Sequence, residues 1–527
     1  MNDLARRLGL RTDPVIFFWA AGLMVLFLAA LVIATEAIGS FFADARAWIV
    51  TYLGWLFIFG VTSWLLFLLW LAFSRFGALR LGDPEDRPEY SSVSWFTMLF
   101  AGGIGTVLMF WGVAEPILHF ASPPYADTEP HSVQAAREAM GFSLYHLGLH
   151  TWAIFTLPGL AFAFFIYRYK LPMRVSSVFY PFLGEGIYGP VGKAIDVLAI
   201  LGTLFGVAVS IGLGTQQINA GLASLIGLPD TVASKVAIIT LLTAVATASI
   251  VVGLDRGVKV LSNINIAMAT ALMVFVLFAG STLFLVRGIV ETVGIYATNL
   301  FPMAFWNDML AHYTSEQGWG WQGSWTVWYW AWTVTWAPFI GIFVARISKG
   351  RTIREFVLGV LFAPSAFTLV WFAIFGWSAM EIDGIGAQAR AALGDQAGMI
   401  ENAVARGPEF AMFAFFENFP ATQLIQGLAV VIVAIFFATS SDSASLVVDL
   451  LCTGETQSGP VRQRVFWGVS EGAVAAMLIV LAGQAGLVAL QQVITVVGLP
   501  IFLLVFAMLF ALVKALLAEE ARLAQRS

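Results

Sequence analysis

Three clusters of residue types in this chain could hold a small charged guest away from water. The first is aromatic. Residues 325–343 read WTVWYWAWTVTWAPFIGIF, and within them Trp332, Trp336, Phe339 and Phe343 recur at intervals of 4, 3 and 4. On a helix that spacing puts four rings on one stripe. Each ring face attracts a cation by about 0.5–2 kcal/mol, and quaternary ammonium groups are common guests of such cages. Pro338 has no N–H to donate, so it interrupts the helix inside the stripe and frees carbonyls beside it. The second cluster is hydroxylic: Phe436-Phe437-Ala438-Thr439-Ser440-Ser441-Asp442-Ser443 lies in a long apolar run. Hydroxyls there, with backbone carbonyls, could complete the oxygen shell of a hard cation such as sodium. The third is Ala101-Gly102-Gly103-Ile104-Gly105-Thr106, a poor helix former inside an apolar run. Such backbone is tolerated at membrane depth only where it lines a cavity or is buried in protein.

Each cluster also has a plainer reading. A belt of interfacial aromatics explains Trp319, Trp321 and Trp325 well, but explains the deeper Trp336 and Phe343 less well. A lone membrane Thr or Ser commonly bonds back to its own preceding turn. Small residues also serve close helix packing. His146 and His150 are four residues apart with no third metal ligand in sight, so they read as satisfied buried histidines. Glu115-Pro116 reads as a helix-end feature near the outer interface. Asp442 falls near the cytoplasmic end of its run, where water could reach it.

The elements that must position these clusters follow from composition. Hydrophobic residues make up 59% of the 527 and charged residues 11%, against about 25% charged in soluble domains. Mean hydropathy is +0.85. So few charges cannot cover a soluble surface of this size, whereas a bilayer needs no such cover. Apolar runs near twenty residues or longer fall at about 14–35, 50–74, 94–120, 142–167, 191–226, 233–253, 260–287, 324–347, 355–379, 422–452, 466–484 and 487–517. These predict an all-α polytopic membrane protein with twelve transmembrane helices. The first run is too long for the apolar core of a signal peptide. With the N-terminus placed in the cytoplasm, 21 of the 27 Lys and Arg fall on the cytoplasmic side and 6 outside. That asymmetry predicts both termini inside and an even number of spans. Residues 290–314 mix aromatics with polar groups and predict an interfacial helix. Residues 380–418 predict a polar outer segment with short helices.

Several functions are excluded. No basic patch exists for nucleic acid. One cysteine, Cys452, permits neither an internal disulfide nor a cysteine zinc site. No nucleophile–base pair or metal spacing suggests an enzyme, so no catalytic residue and no cofactor is expected. No ring of charged residues marks a channel pore.

The run Trp330-Ala331-Trp332 through Trp336-Ala337-Pro338-Phe339, and on through Ala345-Arg346-Ile347-Ser348-Lys349-Gly350-Arg351-Thr352-Ile353-Arg354-Glu355-Phe356, resembles the signature of the betaine/choline/carnitine transporter family. Met109-Phe110-Trp111-Gly112-Val113-Ala114-Glu115-Pro116 is similar to its third-span motif. His150-Thr151-Trp152-Ala153-Ile154 and the stretch from Phe205 to Gly214 are similar to its fourth and fifth spans. The resemblance runs from about residue 14 to 517. It implies a LeuT-type core of two inverted five-helix repeats with two additional helices before it. The implied division is 1–13 cytoplasmic, 14–92 the additional helices, 93–288 the first repeat and 289–320 an outer interfacial helix. Residues 321–518 are then the second repeat and 519–527 a cytoplasmic tail. It further implies alternating access, a homotrimer in the plasma (inner) membrane, and a small-molecule substrate taken up across the lipid bilayer.

The resemblance assigns site residues unevenly. The family's aromatic substrate box is matched by Trp152, Trp332, Trp336 and Phe339, whereas Leu147, Phe155 and Thr333 stand where betaine carriers have Trp, Tyr and Trp. A box that loses two or three such walls loses about 1–4 kcal/mol of cation attraction. A sodium site is implied at Ala101, Ile104, Phe436, Thr439 and Ser440. Thr203 matches a ligand of a second sodium site, but Val207 replaces another. One sodium per cycle is therefore expected. Glycine betaine, choline, carnitine, dimethylsulfoniopropionate and ectoine all remain open as substrates. Proton coupling, substrate exchange and, from another class, a passive channel remain the alternatives.

Overall fold

A bilayer interior offers no water to the backbone, so apolar runs of this length pair every N–H and C=O within their own helix. The computed structural model of the chain describes residues 1–101, 105–252, 255–314, 320–455, 457, 459–482 and 487–524. Among them there is no strand, and one antiparallel bridge joins Arg80 to Thr352. The first two spans are α1 (Pro14–Ile33) and α2 (Thr35–Phe73). The third run is divided, α3 (Ser92–Ala101) ending before residues 102–104 and α4 (Gly105–Ala121) following them. The fourth is α5 (Val133–Leu147) with α6 (Leu149–Ala163). Then come α7 (Pro190–Ile226), α8 (Val232–Val252), α9 (Asp255–Ala279) and α10 (Thr282–Phe305). The eighth run is again two helices, α11 (Thr326–Thr335) and α12 (Ala337–Ile347). The rest are α13 (Ile353–Asp383), α14 (Thr422–Thr453), α15 (Val461–Ala482) and α16 (Leu487–Ala524).

Among the described residues the twelve apolar runs are helical. Eleven helical stretches there are long and apolar enough to cross a membrane, α10 counted and the divided third run not, and the bent α11–α12 pair makes a twelfth. One boundary moves. The helix expected from about residue 290 starts at Thr282, after a break at Gly280 and Ser281, so α9 ends at Ala279. Length and apolarity alone would also let α10 cross, although its hydropathy is lower than that of the other long helices.

Packing pairs the spans in a pattern that survives adding five to each number. The third packs on the ninth (α4 on α13), and the eighth on the fourth (α12 on α6). The fifth meets the tenth (α7 on α14), and the sixth the eleventh (α8 on α15). The seventh meets the tenth (α9 on α14), and the twelfth meets the fifth (α16 on α7).

Both chain ends lie on one face. Asp13 caps α1 by accepting from the N–H groups of Val15 and Ile16, with Pro14 at the first helical position. Its carboxylate also pairs with Lys193 at 2.9 Å, and its N–H bonds Cys452 O at 3.0 Å, next to the end of α14. Near the other terminus Glu519 pairs with Arg168, and Glu520 with Arg75 at 2.6 Å. Lys170 pairs with Asp83 at 2.8 Å and Arg80 donates to Gly350 O at 2.9 Å on the same face. An even number of crossings follows from this placement.

Burial alone would push the Asp13 carboxyl up. The hydrogen bond and charge of Lys193, the charge of Arg174 and the Ile16 N–H outweigh that and hold it below its ordinary value. A depressed folded value means stability that is complete above the unfolded pKa and lost as pH falls through the folded one. Asp13→Ala is therefore expected to cost about 1–2 kcal/mol at neutral pH, as lost cap and lost pairing. Thermal unfolding of the detergent-purified protein measures it. The gap in Tm between the two proteins should narrow in acid, and a gap that widens there would contradict the pairing.

Candidate functional site

Pro338 occupies the second position of α12, where its missing N–H and its ring prevent α11 from running on. The two half-helices meet at Trp336 with a bend of 53°. At the bend the Trp336 N–H turns to Thr333 O at 3.1 Å. Thr333 Oγ1 donates to Tyr329 O at 2.7 Å, and Thr335 Oγ1 donates to Trp332 O at 2.6 Å. α7 comes close to the bend because it has glycine there. A Cβ on Gly206 would lie 2.3 Å from Thr335 Oγ1 and 2.9 Å from Trp336 Cδ1.

The bend forms one wall of a cavity lined by Val107, Leu108, Leu147, Thr151, Phe155, Trp332, Thr333 and Trp336. Its free volume is about 30 Å³, room for about two waters. In this conformation the site is contracted, and a solute of several heavy atoms needs its walls to part. Trp332 is stacked on Trp328 at 5.6 Å, and its Nε1 donates to Ser210 Oγ at 3.2 Å, which fixes the ring. Trp336 Nε1 is buried without a hydrogen-bond partner among the described residues.

Of the substrate residues expected from the sequence, Leu147, Phe155, Trp332, Thr333 and Trp336 line this cavity. Trp152 and Phe339 stand behind the lining. Trp152 packs edge-on against Phe155 at 5.6 Å, and Phe339 packs against Trp336 at 5.8 Å. Phe343 is two turns further along α12, half-buried and away from the lining. Val107, Leu108 and Thr151 are additions.

Beside this cavity a second one of about 230 Å³ lies among Gly105, Leu108, Met109, Ile266, Ala269, Thr270, Pro364, Phe367, Trp371 and Phe436. It joins the start of α4 to α14. A Cβ at Gly105 would fall 1.8 Å from Phe436 Cζ, so only glycine admits that ring. This contact brings two of the elements expected to hold sodium together. Ala101 is the last residue of α3, and Ile104 lies outside the described residues. Thr439 Oγ1 donates to Ile435 O at 2.9 Å and lies 3.2 Å from Phe436 O, as a back-bonded membrane threonine does. Ser440 is half-buried on the same helix. Thr203 is buried on α7 with its hydroxyl unpartnered among the described residues, and Val207 is buried one turn on.

Three plainer readings of the sequence are corrected. α4 continues past Pro116 to Ala121, and Glu115 is fully buried instead of sitting at a wet helix end. Its Oε1 lies 2.6 Å from His146 Nδ1 and 3.2 Å from His119 Nε2, and its Oε2 accepts from Tyr329 OH at 2.6 Å. His146 Nε2 reaches Thr326 Oγ1 at 2.9 Å. This network ties α4, α5 and α11 together next to the bend. Secondly, the reading of satisfied buried histidines holds for His146 and fails for His150. His150 stacks on Trp330 at 5.7 Å, and neither of its nitrogens has a partner among the described residues. Thirdly, Trp321 and Trp325 are not a lipid-facing belt. Trp321 stacks on His146 at 5.6 Å and Trp325 packs on His119 at 4.5 Å. Trp319 lies outside the described residues. The sequence hid this network because its members are scattered over three helices.

A buried acceptor that loses its donor costs about 1–3 kcal/mol. Tyr329→Phe is expected to destabilise the detergent-purified protein by that amount in thermal unfolding. In the Glu115→Ala background the same change should cost measurably less, since the two groups share one interaction. Equal costs in both backgrounds would show that the two do not interact.

The chain matches the family described as BCCT, betaine/carnitine/choline family transporter, over residues 15–521. It is 46% identical over 519 residues to the ectoine/glycine betaine/proline transporter EctP of Corynebacterium glutamicum, covering 98% of this chain and 82% of that one. Identity to the glycine betaine transporter of Acinetobacter baylyi is 38% over 511 residues, covering 97% and 74%. To the high-affinity choline transport protein of Escherichia coli it is 37% over 516 residues, covering 97% and 73%.

Proposed function

We propose that this chain, which belongs to the betaine/carnitine/choline family of transporters and is not an enzyme, is a symporter that takes up a small zwitterionic compatible solute with sodium. The observation that carries the reading is the aromatic cavity at the α11–α12 bend. Trp332 and Trp336 offers ring faces to an ammonium-type centre. The unpartnered Trp336 Nε1 offers a donor to the carboxylate of the same solute. Leu147 and Thr333 add shape but no π face, which suits a guest that needs fewer cation–π contacts than a fully caged trimethylammonium. Ectoine and proline fit that description, and a relative with 46% identity is named for both, together with glycine betaine.

The span pairings support a LeuT-type core. A pattern that survives adding five to each span number fits two five-helix repeats, and an offset of an odd number of crossings inverts one against the other. In that arrangement α10 lies in the interface, which keeps the crossing count even and both termini on one face. We place that face in the cytoplasm of a cell whose inner membrane holds the protein as a homotrimer. One sodium is expected between the start of α4 and Thr439 and Ser440 of α14, because Phe436 against Gly105 brings the two elements together. On binding, the Thr439 hydroxyl would turn its lone pairs to the ion while it keeps donating to Ile435 O or Phe436 O.

Uptake of labelled ectoine, glycine betaine, proline, choline, carnitine and dimethylsulfoniopropionate, each with and without sodium, tests the function. Trp336→Ala is expected to raise the apparent KM for the transported solute roughly tenfold or more. Trp70→Ala, whose ring is 56% exposed on the outside of α2, should leave it unchanged. Equal, small effects would remove the bend from the substrate path. Uptake should depend on sodium with a Hill coefficient near one, at fixed pH and membrane potential, and Thr439→Ala with Ser440→Ala should abolish that dependence. Full uptake in sodium-free buffer would leave proton coupling or exchange as the mechanism.

A further inference from the structure

A carboxyl group lies at mid-membrane where neither cavity uses it. Glu471 is the eleventh residue of the 22-residue α15. At 1.5 Å per residue it stands about 15 Å along the helix, half-way through a hydrocarbon core of about 30 Å. It is fully buried. Its Oε2 accepts from Ser441 Oγ of α14 at 2.8 Å, and its Oε1 is buried with no partner among the described residues. No Lys or Arg among those residues forms an ion pair with it.

Among the described residues the elements packed around it bring it no countercharge. α14 presents Ser441, Asp442 and Ser445 to α15, and Asp442 is already paired with Arg464 at 3.1 Å. α8 presents Thr243, whose Oγ1 would lie 2.2 Å from a Cβ on Gly472. The one basic residue of α8, Lys235, is paired with Asp230 at 2.8 Å at the far end of that helix. From Ala199 to Ile226 α7 has no charged residue, and α1 has none at all. The charges of α16 begin at Lys514, near the face that holds the termini. An ionised carboxylate in such a place would be an uncompensated charge costing several kcal/mol. The neutral acid meets no such penalty, and the vacant Oε1 has room for its proton.

We propose that Glu471 is a proton-carrying site of the transport cycle, loaded while α14 and α15 are packed through Ser441 and unloaded when that contact opens toward the face of the termini. The Asp442–Arg464 pair lies between Glu471 and that face and closes the way out in this conformation. The step is an acid–base exchange with water. The carboxyl O–H bond breaks as the proton passes to water on one side, and the carboxylate takes a proton from water on the other. This inference rests on reading the chain as a coupled transporter, and adds a proton step beside the sodium step.

Proteoliposomes containing a pH dye, with equal sodium on both sides, provide the test. Adding ectoine or glycine betaine outside should acidify the lumen of wild-type vesicles. Glu471→Gln keeps the acceptor for Ser441 and cannot ionise. It should abolish the acidification and cut concentrative uptake roughly tenfold, while labelled solute exchange stays within about twofold of wild type. Wild-type uptake without proton movement, or a Gln variant that acidifies like wild type, would overturn the proposal. If no solute is taken up at all, the transport reading fails separately, and infrared spectra of the purified protein decide this one. A protonated-carboxyl band present in wild type and lost in Glu471→Gln supports it, and identical spectra across pH refute it. If the Gln variant does not fold, Ser441→Ala takes its place. Loss of the donor should shift the pH profile of uptake, and an unshifted profile counts against the site.

Discussion

Every feature of this molecule depends on one constraint: a backbone in hydrocarbon must satisfy its own hydrogen bonds. That constraint makes the long apolar runs helical and gives special weight to the places where a helix stops inside the membrane. Pro338 creates one such place, and the bend at Trp336 is the result. A break of this kind would be costly if it faced lipid. Here it is surrounded by α5, α6 and α7, and Gly206 lets α7 come near enough to cover it. The same break that weakens the helix sets Trp332 and Trp336 into one wall of the cavity. A straight helix would have carried Trp332, Trp336, Phe339 and Phe343 along one line, too extended to surround a small solute.

Holding a broken helix at one angle requires attachments that do not slide. The Glu115 network supplies them, since an ionisable group and two imidazoles shared by α4, α5 and α11 have few equivalent arrangements. Apolar packing alone tolerates small shifts, because a methyl group can trade one neighbour for another. Buried hydrogen bonds lose their energy within a few tenths of an ångström. The network therefore holds the three segments in one arrangement beside the cavity.

The sequence made the helices legible because twelve apolar runs are a strong and repeated signal. It also made the bend legible, through one proline inside an aromatic stripe. It could not say which of the stripe's rings face the guest. Helical spacing alone treats Phe343 as equal to Trp336, but the bend turns the register, and Phe343 ends two turns away from the lining. Glu115 was misread because Glu-Pro usually ends a helix, and nothing local revealed that α4 runs on to Ala121 or that His146 waits 31 residues later. Trp321 and Trp325 were misread for the related reason that an interfacial belt and a packed inner wall have the same composition. The boundary of α10 was missed because Gly280 and Ser281 are ordinary residues of a membrane helix until the chain turns there.

Glu471 shows how composition can hide a site that depth makes conspicuous. One glutamate among many apolar residues barely changes the hydropathy of α15. Its meaning comes from position, half-way along the helix and facing α14 instead of water or lipid. The surrounding glycines strengthen the argument. Gly468 and Gly472 bring α15 against α8, so that Ile250 and Thr243 close two sides of the same turn. A proton needs no coordination shell, so it could be exchanged there by a shift of the Ser441 contact alone. The hydroxyl-bearing helix α14 thus has two different faces. Phe436 belongs to the one that meets the start of α4, and Ser441 belongs to the one packed against α15.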